Sequence, residues 1–179
     1  MEAGSLQGKR RILIIGSSGS GKSTLARALG EAVGLPVVHL DKLYWTPGWV
    51  NRPREEFEAL LAAELAKDAW IIDGNFDRTL PRRLARADCV VRFQFSRLAC
   101  EWGVFKRVVT TYGKVRPDMG EGCPERFDLE FIRWVWNFPK KDGAKAAAVL
   151  AQFPQVPVIT LHSRREARQL LEEARGGRL

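Results

Sequence analysis

The sequence predicts an α/β fold of three layers, a parallel β-sheet covered by helices on both faces. Three observations carry this. Short β-branched apolar runs recur along the chain, and they are continuous rather than alternating, as in strands buried on both faces. Amphipathic helical patterns alternate with these runs. The first run passes directly into a glycine-rich loop and then a helix.

The elements follow in order. "RILII" (Arg11 to Ile15) reads as a buried strand, bounded by "GSSGSG". "KSTLARALGEAVG" continues as a helix with Leu25, Leu29 and Val33 on one face and Gly34 as its stop. "PVVHL" is the second strand. "PREEFEALLAAELAK" is an amphipathic helix, with Pro53 at its start and Phe57, Leu60, Leu61 and Leu65 along one face. "WIID" and "CVVRFQF" are the third and fourth strands. In the helix "SRLACEWGVFKRVVTTYGK", Leu98, Trp102, Phe105, Val109 and Tyr112 form an apolar stripe, and Lys106 and Arg107 lie off it, toward a nucleotide. Arg97 pairs with Glu101 one turn on. Lys114 to Phe127 reads as a loop, "DLEFIRWVWNF" as a helix stopped near Pro139, and "PVITL" as the fifth strand. A last helix starts near Ser163.

The 179 residues suit one domain, 1–179, with one insertion at about 41–69 and another at about 114–138. No apolar run approaches the roughly 20 residues of a membrane span. The start "MEAGSLQGKRRILIIG" lacks the pattern of a secretory signal, so a cytoplasmic protein with no membrane partner is expected. Three cysteines without CxxC spacing signal neither a disulfide framework nor a zinc site. The net charge of +8 fits either plain solubility or an anionic partner, nucleic acid or a phosphorylated small molecule.

"GSSGSGKS" matches the phosphate-binding loop G-x-x-x-x-G-K-[ST] in full, with a strand before and a helix after. Its residues Gly16, Ser17, Ser18, Gly19, Ser20, Gly21, Lys22, Ser23 and Thr24 form the expected nucleotide cradle. Backbone N–H groups and the helix N-terminus face the phosphates. Lys22 reaches the β- and γ-phosphates, and the Ser23 hydroxyl ligates Mg²⁺. The expected cofactors are therefore ATP and Mg²⁺.

Beyond the loop, "IIDGNFDRT" resembles the DG-F-x-R-T segment of adenylate kinases with one extra residue. The chain as a whole resembles the small P-loop kinases of the adenylate and shikimate kinase type. It is most similar to a bacterial adenylate-kinase-like group labelled "DNA topology modulation protein", through "GSSGSGKSTLARALG", "HLDKLYWTPGW", "WIIDGNFDRTLPRRLARAD", "RPDMGEGCPERFDLEFIRWVWNFPKK" and "SRREARQLL". The resemblance implies the P-loop NTPase fold with strand order 2-3-1-4-5, an acceptor-binding segment after the second strand, and a lid after the fourth.

Ligands of open α/β sheets bind beyond the carboxyl ends of the strands, where Asp41 and Asp73 stand. By resemblance Asp41 is the acceptor-side carboxylate and Asp73 the metal-side one. Tyr44, Trp45 and Trp49 cap the acceptor pocket and exclude water, or else anchor the loop on the following helix. Arg78 grips an acceptor phosphate, or else is a surface residue of the basic run with Arg82, Arg83 and Arg86. Asp77 stands where adenylate kinases carry proline. From the lid, Arg116, Arg126 and Arg133 are the expected contacts to the transferring phosphoryl group. The resemblance also brings Ser163 and Arg164 near the adenine. Two functions compete: an ATP-dependent kinase with a small-molecule acceptor, and a nucleic-acid-associated regulator that uses ATP as a switch. The acceptor and the oligomeric state stay open at this point.

Overall fold

The computed structural model describes residues 6–176, so both ends of the single domain expected over 1–179 lie outside the described residues. Five parallel strands form the central sheet: β1 (Arg11–Gly16), β2 (Val37–His39), β5 (Trp70–Asp73), β6 (Cys89–Phe93) and β7 (Val158–Leu161). Their order is β2-β5-β1-β6-β7, the expected 2-3-1-4-5. Ile12, Leu13, Ile14, Ile71, Ile72, Val90 and Val91 are fully buried, which is why these runs lack alternation.

The helices split the core in two. One layer holds α1 (Lys22–Val33), α5 (Arg97–Thr111), α6 (Leu129–Asn137) and α8 (Arg164–Gly176), closed over Ile12, Ile14, Ile71 and Val91. The other holds α3 (Arg54–Leu65), α4 (Leu80–Leu84) and α7 (Asp142–Leu150), closed over Leu13, Ile15, Ile72 and Val90. The first insertion starts with a short helix, α2 (Leu40–Tyr44), and a two-stranded hairpin, β3 (Trp45–Thr46) and β4 (Val50–Asn51). Residues 114–127 form a loop tied by a bridge between Tyr112 and Glu125. Among the described residues no helix is long and apolar enough to cross a membrane.

The structure corrects the reading of α5. Its stripe of Leu98, Trp102, Phe105, Val109 and Tyr112 is exposed, and Cys100 and Val104 are the buried residues. The physical reason is a close approach. A Cβ on Gly103 would overlap the Gly19 carbonyl of the phosphate loop, so the inward face of α5 has to be made of small residues. Leu60 of α3 is likewise 40% exposed, outside the buried row of Phe57, Leu61 and Leu65.

Arg83 is fully buried in α4. It donates to Thr79 Oγ1 at 3.1 Å and to the carbonyls of Gly74 at 2.9 Å, Asn75 and Phe76 at 3.3 Å. Burial pushes its guanidinium down to about 9, against the pull of Asp77 and Asp73. Phe76, at φ 40, sits in the left-handed region and is held there by this net. An apolar residue at position 83 leaves several buried carbonyls without a donor. Arg83→Met is expected to lose about 2–4 kcal/mol in urea unfolding, whereas the exposed neighbour Arg82→Met changes stability by less than about 0.5 kcal/mol.

Candidate active site

At the carboxyl ends of the strands lies a cleft of about 1050 Å³. Ligand pockets commonly span ~300–1,000 Å³, so this one has room for a nucleotide and a small second molecule. Ser18, Gly19, Gly21, Lys22, Ser23 and Thr24 line one end, while Gly16, Ser17 and Ser20 lie beneath as the buried frame of the loop. The Ser20 hydroxyl donates to the Ser17 carbonyl at 2.7 Å, closing the turn from inside. Lys22 opens α1 and is largely buried, 8% exposed.

The loop is held from the neighbouring strand. Asn75 follows β5, and its side-chain amide takes both backbone groups of Gly16, accepting from the N–H at 2.9 Å and donating to the carbonyl at 2.8 Å. Sequence reasoning did not single out Asn75. The available signal was its position two residues after Asp73, beyond the carboxyl end of a central strand.

Asp73 is 4% exposed. Its Oδ2 is 2.9 Å from His39 Nδ1, and its buried Oδ1 has no hydrogen-bond partner. His39, which the sequence reading gave no catalytic part, thus orients this carboxylate. The donor set of a Ser23 hydroxyl and a free Asp73 oxygen fits a hard, oxygen-seeking cation such as Mg²⁺, which keeps several waters and phosphate oxygens. No group of three or more His, Cys, Asp or Glu side chains that could hold a metal ion occurs among the described residues.

Asp41 lines the cleft on the first turn of α2, and no hydrogen bond or ion pair reaches its side chain. Burial raises its carboxyl above the ordinary range, with Lys22 pulling it down and Asp73 pushing it up. Tyr44, Trp45 and Trp49 line the same cleft and are also packed. Tyr44 meets Trp45, Phe57 and Phe76 edge-on at 5.0, 5.4 and 4.9 Å, and Trp45 meets Trp49 at 5.5 Å. Tyr44 thus reaches the cleft and also anchors the loop on α3.

The two insertions are joined. Gly48 N–H donates to the Gly122 carbonyl at 2.9 Å, Trp49 Nε1–H to the Pro124 carbonyl at 3.1 Å, and the Cys123 thiol to the Thr46 carbonyl at 3.2 Å. The loop so docked carries Arg116 into the cleft. Its guanidinium contacts Asp118 at 2.7 Å and Glu125 at 2.8 Å, and Glu125 also contacts Arg107 of α5 at 3.0 Å. Burial lowers the Arg107 pKa, with Arg116 adding to this and Glu125 opposing it. Arg126 lines the cleft too, 3.4 Å from Asp128 and over the Trp49 ring.

Three expected site residues stand elsewhere. Arg133 is on the exposed face of α6, because Val135, two residues on, turns the opposite side of the helix into the core. Arg78 is outside the cleft, its side chain 62% exposed and 3.9 Å from Glu58. Ser163 is taken up in capping α8: its hydroxyl donates to the Glu166 carboxylate at 2.9 Å and accepts from the Glu166 N–H. Arg164 does line the cleft. The basic run from Arg78 to Arg107 is no continuous surface, since Arg83 is buried and Arg107 is paired inside.

The fold is the P-loop NTPase fold. A shikimate kinase from Acinetobacter baumannii, solved with shikimate, superposes with a TM-score of 0.58 over 97% of this chain and 97% of its own, at 15% identity. A shikimate kinase from Bacteroides thetaiotaomicron does so with a TM-score of 0.54 over 94% of this chain and 98% of its own, also at 15% identity. No protein-family model matches the sequence. No curated protein matches it.

Asn75→Ala frees both backbone groups of Gly16 at the root of the phosphate loop. A loss of about 1–3 kcal/mol in loop order is expected, read as a roughly 5- to 100-fold weaker Kd for Mg·ATP by calorimetry.

Proposed function

We propose that the protein is an ATP- and Mg²⁺-dependent phosphotransferase acting on a hydroxyl group of a small molecule, within the adenylate-kinase-like group its sequence resembles. One observation carries this reading: Asp41, a carboxylate without a hydrogen bond or ion pair among the described residues, lines the same cleft as the Lys22 ammonium of a complete phosphate loop. The shikimate kinase neighbours support the reading through their fold, and at 15% identity they say nothing of the acceptor.

In this reading the acceptor hydroxyl hydrogen-bonds Asp41, which takes its proton as the oxygen attacks the γ-phosphorus. The bond from phosphorus to the β,γ-bridging oxygen breaks, and ADP leaves with the electron pair. Lys22 follows the β- and γ-phosphates. Arg116, aimed by Asp118 and Glu125, faces the transferring group, and Arg126 joins it from the lid loop. Ser23 and Asp73 would hold Mg²⁺, which would offset the phosphate charge. Arg164 and the loop before α8 border the base. The docked hairpin, through Trp45 and Trp49, keeps water from the γ-phosphate.

Asp41→Asn is expected to lower kcat ~10²–10⁴-fold while the Kd for Mg·ATP stays within a few-fold. A base works deprotonated, so kcat/KM rises with pH through the Asp41 pKa. Because burial raises that pKa, the acid limb of the profile is expected above the usual aspartate value of about 4, and to vanish in the variant. Turnover by Asp41→Asn at the wild-type rate removes Asp41 from the mechanism.

A further inference from the structure

The acceptor half of the cleft is acidic and aromatic, and its cations are already engaged. Arg116 is shared between Asp118 and Glu125, and Arg126 lies against Asp128 and the Trp49 ring. Arg78, the residue expected to grip an acceptor phosphate, points away toward Glu58. Two cleft carboxylates, Asp41 and Asp77 in the turn after β5, form no ion pair with any described residue, although Lys22 and Arg116 act on the first and Lys145 and Arg83 on the second from farther off. Among the described residues no hydrogen bond or ion pair reaches the Asp77 side chain. Burial raises its pKa and Asp142 raises it further, with Lys145 and Arg83 pulling the other way.

Asp142 keeps its own orientation. It accepts from Trp134 Nε1 at 2.7 Å and lies 3.3 Å from the exposed Lys145 ammonium. Trp134 stacks on Phe131 at 5.6 Å, and both rings line the cleft, as Tyr44 and Trp45 do. Two acids set against π-faces form a site that attracts a cation and repels an anion. A carboxylate or phosphate on the acceptor would meet like charge there with no free guanidinium to offset it.

We propose that the acceptor is a hydroxylated amine, an amino sugar, aminocyclitol or amino alcohol, whose hydroxyl faces Asp41 and whose ammonium lies between Asp77, Asp142 and the aromatic walls. The proposal rests on the phosphotransferase reading for the hydroxyl alone; recognition of the ammonium is a separate property of the cleft. In transfer the hydroxyl oxygen forms the new bond to phosphorus, its proton goes to Asp41, ADP leaves, and the ammonium is unchanged.

The test uses the full chain with Mg·ATP and matched probes that differ in one group: glucosamine, glucose, glucuronate and glucose 6-phosphate, with an aminocyclitol and choline added to the amine series. Binding is read by tryptophan fluorescence and turnover by ADP release. At least one amine is expected to bind ten-fold or more tightly than the neutral sugar, with the two anions weaker still. Asp77→Asn is expected to cut the amine-over-neutral preference at least ten-fold. An amine that binds without stimulating ADP release sustains this inference and sinks the kinase reading. Faster turnover with glucuronate, glucose 6-phosphate or another anion sustains the kinase reading and overturns this one. Failure of every amine to bind, or an amine preference untouched in Asp77→Asn, overturns it as well.

Discussion

The site hangs from the last residue of β1. Gly16 is where the strand ends and the phosphate loop begins, and both of its backbone groups are bound by the Asn75 side chain. A Cβ there would run into the Phe93 backbone, so the loop leaves the sheet only because position 16 is glycine. Asn75 is in turn fixed by Arg83, which binds the carbonyls of residues 74–76 from beneath. A chain of hydrogen bonds therefore runs from a buried arginine through one turn to the phosphate cradle. The Phe76 carbonyl also accepts from the Thr79 hydroxyl and N–H, so the links share groups and stiffen one another.

The second constraint is electrostatic. Arg107, Arg116, Asp118 and Glu125 bring two cations and two anions into a space where Asp118 and Glu125 are 6% and 5% exposed. Such a set gains little net stability, because desolvation offsets most of the attraction. What it supplies is aim. A guanidinium held by two carboxylates has few conformations left, so it meets developing charge with little reorganisation. The same pairing removes it as a free anchor for an anionic acceptor, and in the proposed function this would link transfer to acceptor choice.

The sheet, its strand order and the phosphate loop were legible in the sequence because their signals are local: continuous apolar runs and a loop with fixed glycine spacing. The remainder depends on contacts distant in sequence. Asn75 binds Gly16 across 59 residues, and nothing around it announces that partner. The α5 stripe was readable as periodicity, but its orientation was set by backbone contact between Gly103 and Gly19. Arg133 looked conspicuous among apolar neighbours, yet a helix turns about 100° per residue and carried it to the outer face. α4 and α7 escaped notice because five residues containing a proline, and a run of alanines, give little apolar contrast between faces.

The aromatic hairpin shows why packing and binding need not be rival explanations. Tyr44 is wedged between Phe57 and Phe76, which fixes the end of α2 and with it Asp41, three residues back. Trp49, at φ 63, directs its indole N–H to the lid loop while its ring carries Arg126. One packed group thus sets the distance between a carboxylate from the first insertion and a guanidinium from the second. A flexible polar loop of the same length would satisfy solvent equally well, but it would leave Asp41 and Arg126 to find their positions anew at each encounter, at an entropic cost of roughly 1–2 kcal/mol per residue ordered. The aromatic surface beside the carboxylate is therefore structural in its contacts and functional in what those contacts hold in place.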